Sequence, residues 1–391
     1  MTSGWTFARA ALHGWAVLTA LLTLVLLCSG GLVTSHGVGM AVPDWPNTFG
    51  YNMFAFPLSR WVGGIFLEHS HRVLATFVGL FTAVLAAWIW IRETAGAGRW
   101  IGLAGVVVVL GLLGVRVMPV YYTLAVAAPI FVAVALWQYR HDEGRLRWLG
   151  LIALAAVILQ GVLGGLRVVW FKDQIGIFHG MLAQSFFVFL VLLTILLSRR
   201  FVEGRWADYE PHTNLRWWAM GATALIFLQL GLGATMRHEH IGLSIPDFPL
   251  AYGKVLPDTS PAAMEVINAA RVADHALPTT ALQIWIQMAH RLVAMLIAVA
   301  VGIVFAKSRR ATRGTRIWAT SWFLMILVQV ALGAWTIWSN KAADVATAHM
   351  ALGALSLAVG GVITFRLMRG ARTGDFALPD GPNPRLMKAL A

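Results

Sequence analysis

The sequence contains few charged residues and a single cysteine. Asp, Glu, Lys and Arg make up only 12% of the 391 residues, about half the fraction of a typical soluble domain. Hydrophobic residues make up 59%, so an ordinary soluble protein is excluded. Cys28 is the only cysteine, and an intrachain disulfide is therefore excluded as well.

Long uncharged runs follow one another along the chain. A helix of about 20 apolar residues crosses the hydrocarbon core of a bilayer. Open sheet edges are not viable in lipid, and barrel strands read as alternating segments of about ten residues. The runs therefore predict an all-α polytopic membrane protein. They lie at residues 15–35, 73–91, 148–166, 175–198, 217–236, 317–340 and 346–365, with an eighth at 292–306 that 276–291 extends upstream.

The basic residues are unevenly placed. Of the thirty Lys and Arg, twenty lie near the N-terminus, in four short connectors or in the tail from Arg366. This distribution follows the positive-inside rule and predicts that both termini are cytoplasmic. It also accounts for the formal net charge of +13 without nucleic acid, so the predicted contact surface is the lipid bilayer.

Four sequence elements occur twice in the same order. They are a Pro-Asp-aromatic-Pro turn, a His-Arg pair, a Gln-x-x-Leu-Gly segment and a later histidine. This repeat predicts two pseudo-symmetric four-helix bundles, with eight core transmembrane helices in total. The first copy lies at 43–46, 68–72, 160–164 and 179, and the second at 246–249, 287–291, 329–333 and 349.

The first half contains about 49 additional residues between its two histidines. They coincide with an apolar stretch that Arg116 and Pro119 interrupt. If the stretch crosses the bilayer and returns, both histidines stay near the outer face, so it predicts a short inserted hairpin with its turn near 116–122. The predicted segments are an N-terminus 1–14, a first half 15–200 with the hairpin at about 100–138, a linker 201–216, a second half 217–368 and a tail 369–391.

Four histidines in the apolar runs are candidate metal ligands. Ionisable residues inside a membrane are costly and are often functional. His71, His179, His290 and His349 fall into one pair per bundle, and facing helices can each supply one axial ligand to a haem iron. For a single buried histidine, a hydrogen-bonded structural role is the alternative. His69 is expected at the membrane interface.

Two further residue types accompany the candidate ligands. Arg72 and Arg291 each follow a candidate ligand and could pair with a haem propionate or extend to the interface. Glu68 shares a helix face with His71, whereas Gln287 stands in its place in the second half. This difference predicts proton chemistry at the first site only, with a helix-capping Glu68 as the alternative.

Together these motifs resemble the haem A synthase family. The resemblance covers roughly residues 15–95 and 146–368. The Glu-x-x-His-Arg motif at 68–72 looks like the family signature, and the motifs are specific only in combination. The resemblance implies oxidation of a methyl group of haem O to the formyl group of haem A. It also implies a bacterial inner-membrane location, an unidentified electron acceptor, and haem O synthase or oxidase assembly factors as candidate partners.

The resemblance also assigns roles to individual residues. His290 and His349 would ligate a resident haem b, and His71 and His179 would flank the substrate haem O. Glu68 would act as an acid, a base or a proton relay. A cysteine pair that many bacterial members carry in the first outer loop is absent here, so a mechanism through that disulfide is excluded.

Two other classes of function remain open. The first is a non-catalytic electron carrier with two haem b groups, and the second is a haem or lipid transporter that uses the repeat for alternating access. Glu68 opposite Gln287 favours the enzyme over the carrier, because electron transfer alone does not require a carboxylate at one site. Histidines near the helix ends, rather than broken helices at the midplane, disfavour the transporter.

Overall fold

The computed structural model describes residues 6–142, 144–204, 206 and 213–374. The described residues form α-helices with no β-strand. Most of the predicted tail 369–391 and part of the linker 201–216 lie outside them. The helices are α1 (Phe7–Ser35), α2 (Gly63–Glu93), α3 (Ala97–Gly114), α4 (Met118–His141), α5 (Arg145–Val169), α6 (Asp173–Leu196), α7 (Arg199–Val202), α8 (Thr213–His238), α9 (Pro261–Ala273), α10 (Ala281–Ser308), α11 (Arg313–Trp338) and α12 (Ala343–Gly374).

Ten helices in the described part are long and apolar enough to cross a membrane. They are all the helices except the short α7 and α9. A helix satisfies its own backbone hydrogen bonds, which is why uncharged runs of this length fold as helices in lipid. The prediction of an all-α polytopic membrane protein is therefore confirmed, and eight core helices plus two inserted ones account for the ten.

The core helices pack in two rings of neighbours. In the first half α1 contacts α2, α2 contacts α5, α5 contacts α6, and α6 returns to α1. In the second half α8, α10, α11 and α12 form the equivalent ring. The halves meet where α1 and α6 pack against α8 and α12. A pseudo-two-fold axis between the rings remains a prediction.

The additional residues of the first half form α3 and α4. The turn between them occupies residues 115–117, at the N-terminal end of the predicted range 116–122. Arg116 has a left-handed backbone with φ of 57°. Tyr121 donates a hydrogen bond from its hydroxyl to the carbonyl of Leu113 across this turn. α4 packs along α5 much more extensively than along α3, so α4 extends the first bundle sideways.

Two long loops connect α1 to α2 and α8 to α10 on the same side of the molecule, called here the loop side. Each loop begins with a Pro-Asp-aromatic-Pro turn that contains a cis proline, at Pro46 and at Pro249. In each turn the aspartate carboxylate accepts two backbone N–H bonds, so the loops repeat in detail. The matching sets are Asp44 with Phe49 and Gly50, and Asp247 with Tyr252 and Gly253.

Candidate functional site

The histidine pair of the second half lies near the loop side, between two helices. His290 on α10 and His349 on α12 have ring centroids 6.4 Å apart, with their planes at 59°. A metal–imidazole bond is about 2 Å, and a ring nitrogen lies about 1.1 Å from the ring centre, so two imidazoles in line across one metal have centres about 6.3 Å apart. The observed separation therefore fits two axial ligands of one iron.

Each of the four candidate histidines packs against a glycine on a neighbouring helix. A Cβ atom at that glycine would approach the Cε1 atom of the imidazole closely, so the missing side chain leaves room for the Cε1 edge of the ring against the next helix. The pairs and distances are Gly30 with His71 at 2.9 Å, Gly164 with His179 at 3.0 Å, Gly233 with His290 at 3.4 Å and Gly333 with His349 at 3.1 Å.

Three of the four histidine helices are also held by a glutamine. The side-chain Nε2 of this glutamine donates to the main-chain carbonyl of the histidine. The glutamine lies one helical turn before the glycine that packs against the same imidazole ring. Leu26 occupies the corresponding position for His71, on α1. The three bonds, each 2.9 Å long, join Gln160 to His179, Gln229 to His290 and Gln329 to His349.

The ring nitrogens of the four histidines differ in their partners. His179 has a backbone partner, the carbonyl of Gln160, 3.1 Å from Nδ1. The Nδ1 atoms of His71 and His290 are buried without a hydrogen-bond partner in the described part of the chain. An unpaired buried polar atom is costly, so these two imidazoles are available to a ligand. Together with the ring spacing of the second pair, this donor set suits a haem that paired histidines would hold.

The first pair is less closely defined by distances. His71 on α2 and His179 on α6 are near enough to interact electrostatically with each other, and both interact with Arg167. Arg167 lies on α5, three residues after Gly164, and forms an ion pair of 2.9 Å with Asp173. The two histidines therefore share one region, with Arg167 beside them.

Glu68 anchors the first long loop. It is only 3% exposed and accepts a 2.7 Å hydrogen bond from the backbone N–H of Val42. Its other oxygen forms a 2.6 Å ion pair with Arg72. Arg72 also donates to the carbonyls of Val42, Asp44 and Asn47. Most donors of this guanidinium are therefore used by the loop, so pairing with a propionate remains a prediction.

Gln287 performs the same anchoring in the second half without a charge. Its Oε1 accepts from the backbone N–H of Ile245 at 2.7 Å, and its Nε2 donates to the carbonyl of the same residue. Arg291 donates to the carbonyls of Asp247 and Leu250. The two loops are thus held alike, and the carboxylate of Glu68 is the chemical difference between them.

The first loop covers α5 beside the first histidine pair. The indole of Trp45 lies on Gly165, where a Cβ would come within 2.1 Å of the ring. Its other contact is Tyr121, whose ring centroid is 4.4 Å away. Gly164, the next residue, packs against His179, so the Trp45 side chain lies beside the first site.

Two further histidines, on α2 and α8, make contacts that their local sequence does not predict. His69, expected at the membrane interface, is fully buried, because Trp61 and Phe56 fold over its ring and Thr48 bonds its Nδ1 at 3.1 Å. His238, expected only to lie near the second loop, has its ring against Gly176 at the start of α6. The folded first loop buries His69, whereas the packing of α8 against α6 gives the contact of His238.

Nearly the whole chain is similar to known proteins of one family. Residues 116–360 match the COX15-CtaA family, described as cytochrome oxidase assembly protein. The chain is 23% identical to the heme A synthase of Geobacillus kaustophilus over 376 residues, which is 93% of each chain. It is also 23% identical to the heme A synthase of Bacillus cereus over 339 residues, 85% of this chain and 86% of the relative.

Proposed function

The chain belongs to the COX15-CtaA family of cytochrome oxidase assembly proteins, and from this membership we propose that it is a membrane oxidoreductase of haem A synthesis. Its curated relatives bear the name heme A synthase. The proposed reaction converts a methyl group of haem O to the formyl group of haem A. Counted against water, CH3 and H2O give CHO, four protons and four electrons.

The spacing of His290 and His349 carries the proposal. Their 6.4 Å separation supports a resident haem b in the second half, which these two imidazoles would hold. When bound, haem b supplies one-electron redox chemistry. The chain's own residues position it: Gly233 and Gly333 admit the rings, while Gln329 fixes the helix turn that carries His349.

The first half is proposed to hold haem O between His71 and His179. Glu68 lies three residues before His71, and its carboxylate contacts Arg72 and the loop N–H of Val42. Methyl oxidation releases protons, and Glu68 is the carboxylate that can accept them on this helix face. The counterpart Gln287 cannot ionise, which supports proton transfer at the first site and electron transfer alone at the second.

The surrounding loop restricts water at the first site. Trp45 packs on Gly165, next to Gly164, which contacts the His179 ring. The indole would therefore limit access of water from the loop side to the first histidine pair. The proposed setting is a bacterial inner membrane, with haem O synthase or oxidase assembly factors as the partners that deliver haem O or receive haem A.

Replacing Glu68 by glutamine, the residue that anchors the second loop, tests the catalytic role of the Glu68 carboxylate. Glu68→Gln copies the second half, where Gln287 accepts the same kind of loop N–H bond, so the loop stays anchored. Membranes from cells supplied with haem O are extracted, and the haems are separated by chromatography. We expect haem A to fall at least tenfold in Glu68→Gln, with haem b per chain unchanged.

Glu265→Gln, which removes an exposed carboxylate on α9, is the control and should keep its haem A yield. Full haem A production by Glu68→Gln would contradict the catalytic role of the carboxylate. Two stable haem b groups per chain, with no haem A from the wild-type protein, would favour the electron carrier instead.

A further inference from the structure

The two histidine pairs have different charged neighbours. In the first half each nearby cation has its own carboxylate: Arg72 pairs with Glu68 at 2.6 Å, and Arg167 pairs with Asp173 at 2.9 Å. Within each ion pair the positive and negative charges compensate each other. A negatively charged ligand therefore finds little unbalanced positive charge there.

The second half has a cation without a carboxylate at the matching depth. Arg237 lies four residues after Gly233, the glycine under His290, and thus one helical turn nearer the loop side. Its Nη2 donates 2.6 Å bonds to the carbonyl of Gly31 and the hydroxyl of Ser35, both uncharged. Among the described residues no carboxylate forms an ion pair with it.

A second cation, also without a carboxylate partner in the described helices and loops, lies at the same end of the second half. Lys341 lies in the turn between α11 and α12, with a left-handed backbone at φ of 62°. Its stem reaches Gly242 in the second long loop. Burial lowers the pKa of Lys341, and the nearby charge of Arg237 lowers the pKa further. No ion pair of Lys341 with a carboxylate occurs in the described ranges either.

Two partly buried cations near each other without a counter-ion are unfavourable. The arrangement becomes favourable when an anion with two carboxylate groups binds both. Arg237 lies one helical turn from Gly233, which packs against His290, so such an anion would lie beside the His290–His349 pair. The propionate edge of a haem held by that pair has this chemistry and this position.

We propose that Arg237 and Lys341 bind the propionate carboxylates of the haem at His290 and His349, and that the self-paired cations of the first half leave a haem there without such anchors. This inference rests on the proposed function and extends it. Charge pairing then explains why one haem stays as a cofactor while the other leaves as product.

Haem release from the full-length purified protein tests the inference. The protein is loaded with haem b, excess apomyoglobin is added as the acceptor, and transfer is followed by absorbance. Lys341→Asn removes the charge, and Asn tolerates the left-handed backbone; Arg237→Gln keeps a donor for Gly31 and Ser35. We expect about tenfold faster release from each variant, because a hydrogen bond to a charged group contributes about that factor or more.

Two further variants separate charge pairing from general charge effects. Lys254→Gln removes an exposed loop cation that pairs with Asp258 and should leave release unchanged. Asp173→Asn frees Arg167 and should slow release from the first site at least threefold. The absorption bands should keep a two-histidine form in every variant, since the axial ligands are intact.

The outcomes distinguish the two proposals. If His349→Ala abolishes haem binding in the second half while Arg237→Gln and Lys341→Asn release haem at the wild-type rate, the anchor inference is wrong and the proposed function stands. If haem content is insensitive to His290 and His349, the proposed function itself fails.

Discussion

Replacing Gly165 by alanine should destabilise the first bundle measurably. The added Cβ would lie 2.1 Å from Cδ2 of Trp45, whereas carbon atoms in contact are about 3.5–4.0 Å apart. The indole would have to move by about 1.5 Å, but Tyr121, itself only 2% exposed, lies against it. Overpacking of this kind costs about 1–3 kcal/mol, and the better helix propensity of alanine offsets about 0.5–1 kcal/mol.

The net expectation for Gly165→Ala is a loss of about 1–2 kcal/mol in the free energy of unfolding. Reversible unfolding in mixed detergent micelles measures it. Gly161→Ala is the matched control on α5, because no atom lies within 4 Å of the added Cβ there, so this change should stabilise by about 0.5–1 kcal/mol. Equal stability of the two variants would refute the packing argument.

A second substitution should relieve the clash. Where the first half has Trp45 and Gly165, the second half has Phe248 and Ala334 at the corresponding repeat positions. The double variant Trp45→Phe with Gly165→Ala copies that combination and should cost at least about 1 kcal/mol less than the sum of its single changes. Additive costs would mean that the indole and the glycine do not constrain each other.

Two further predictions concern the second haem site and the turn between α4 and α5. Gly333→Ala pushes against the ring of His349, 3.1 Å away, and should reduce haem b per chain several-fold; unchanged content would contradict the close packing. Asp142 has its pKa lowered from 3.8 to about 2, first by Arg147 and then by Trp148. A lowered native pKa means that its stabilising contribution is complete above about pH 4 and is lost as the pH falls toward 2. Asp142→Asn should therefore lower stability at pH 7 and flatten its decline between pH 4 and 2, as unfolding at several pH values would reveal; an unchanged decline would contradict this assignment.

The fold class and the family could be predicted because both depend on local sequence. Uncharged runs of membrane length produce helices in lipid whatever their partners, and the inserted hairpin follows from a spacing difference and from Arg116. The family predicted from the motifs at 68–72, 160–164 and elsewhere is confirmed by the match of residues 116–360. The ligand roles of the histidines stay predictions.

Contacts made by the loops could not be predicted from local sequence. Glu68 and Arg72 pair with each other on one helix face, but their further partners lie in a loop about 25 residues earlier. His69 is buried only because that loop folds over it. The position of Arg237 is visible in the sequence, since it is a charged residue directly after an apolar run and four residues after Gly233. Its proposed role as a haem anchor also requires Lys341, which is more than 100 residues away in the sequence.

Three of the four candidate histidines accept a main-chain hydrogen bond from a glutamine. His71, in the half proposed to exchange its haem, has a leucine at the corresponding position. Three histidine-bearing helices cannot slide along their neighbours without breaking an amide-to-carbonyl bond inside a non-aqueous interior, where lost hydrogen bonds are not replaced by water. Leu26, at the depth of these glutamines, has no side-chain donor for α2. At the depth of His71, α2 therefore lacks the glutamine bond that holds the other three helices, and its nearest equivalent is the bond from Trp15 of α1 to the carbonyl of Phe81, ten residues further along α2. Tilting of the end of α2 that holds His71 breaks one fewer such bond than the same movement of α6, α10 or α12.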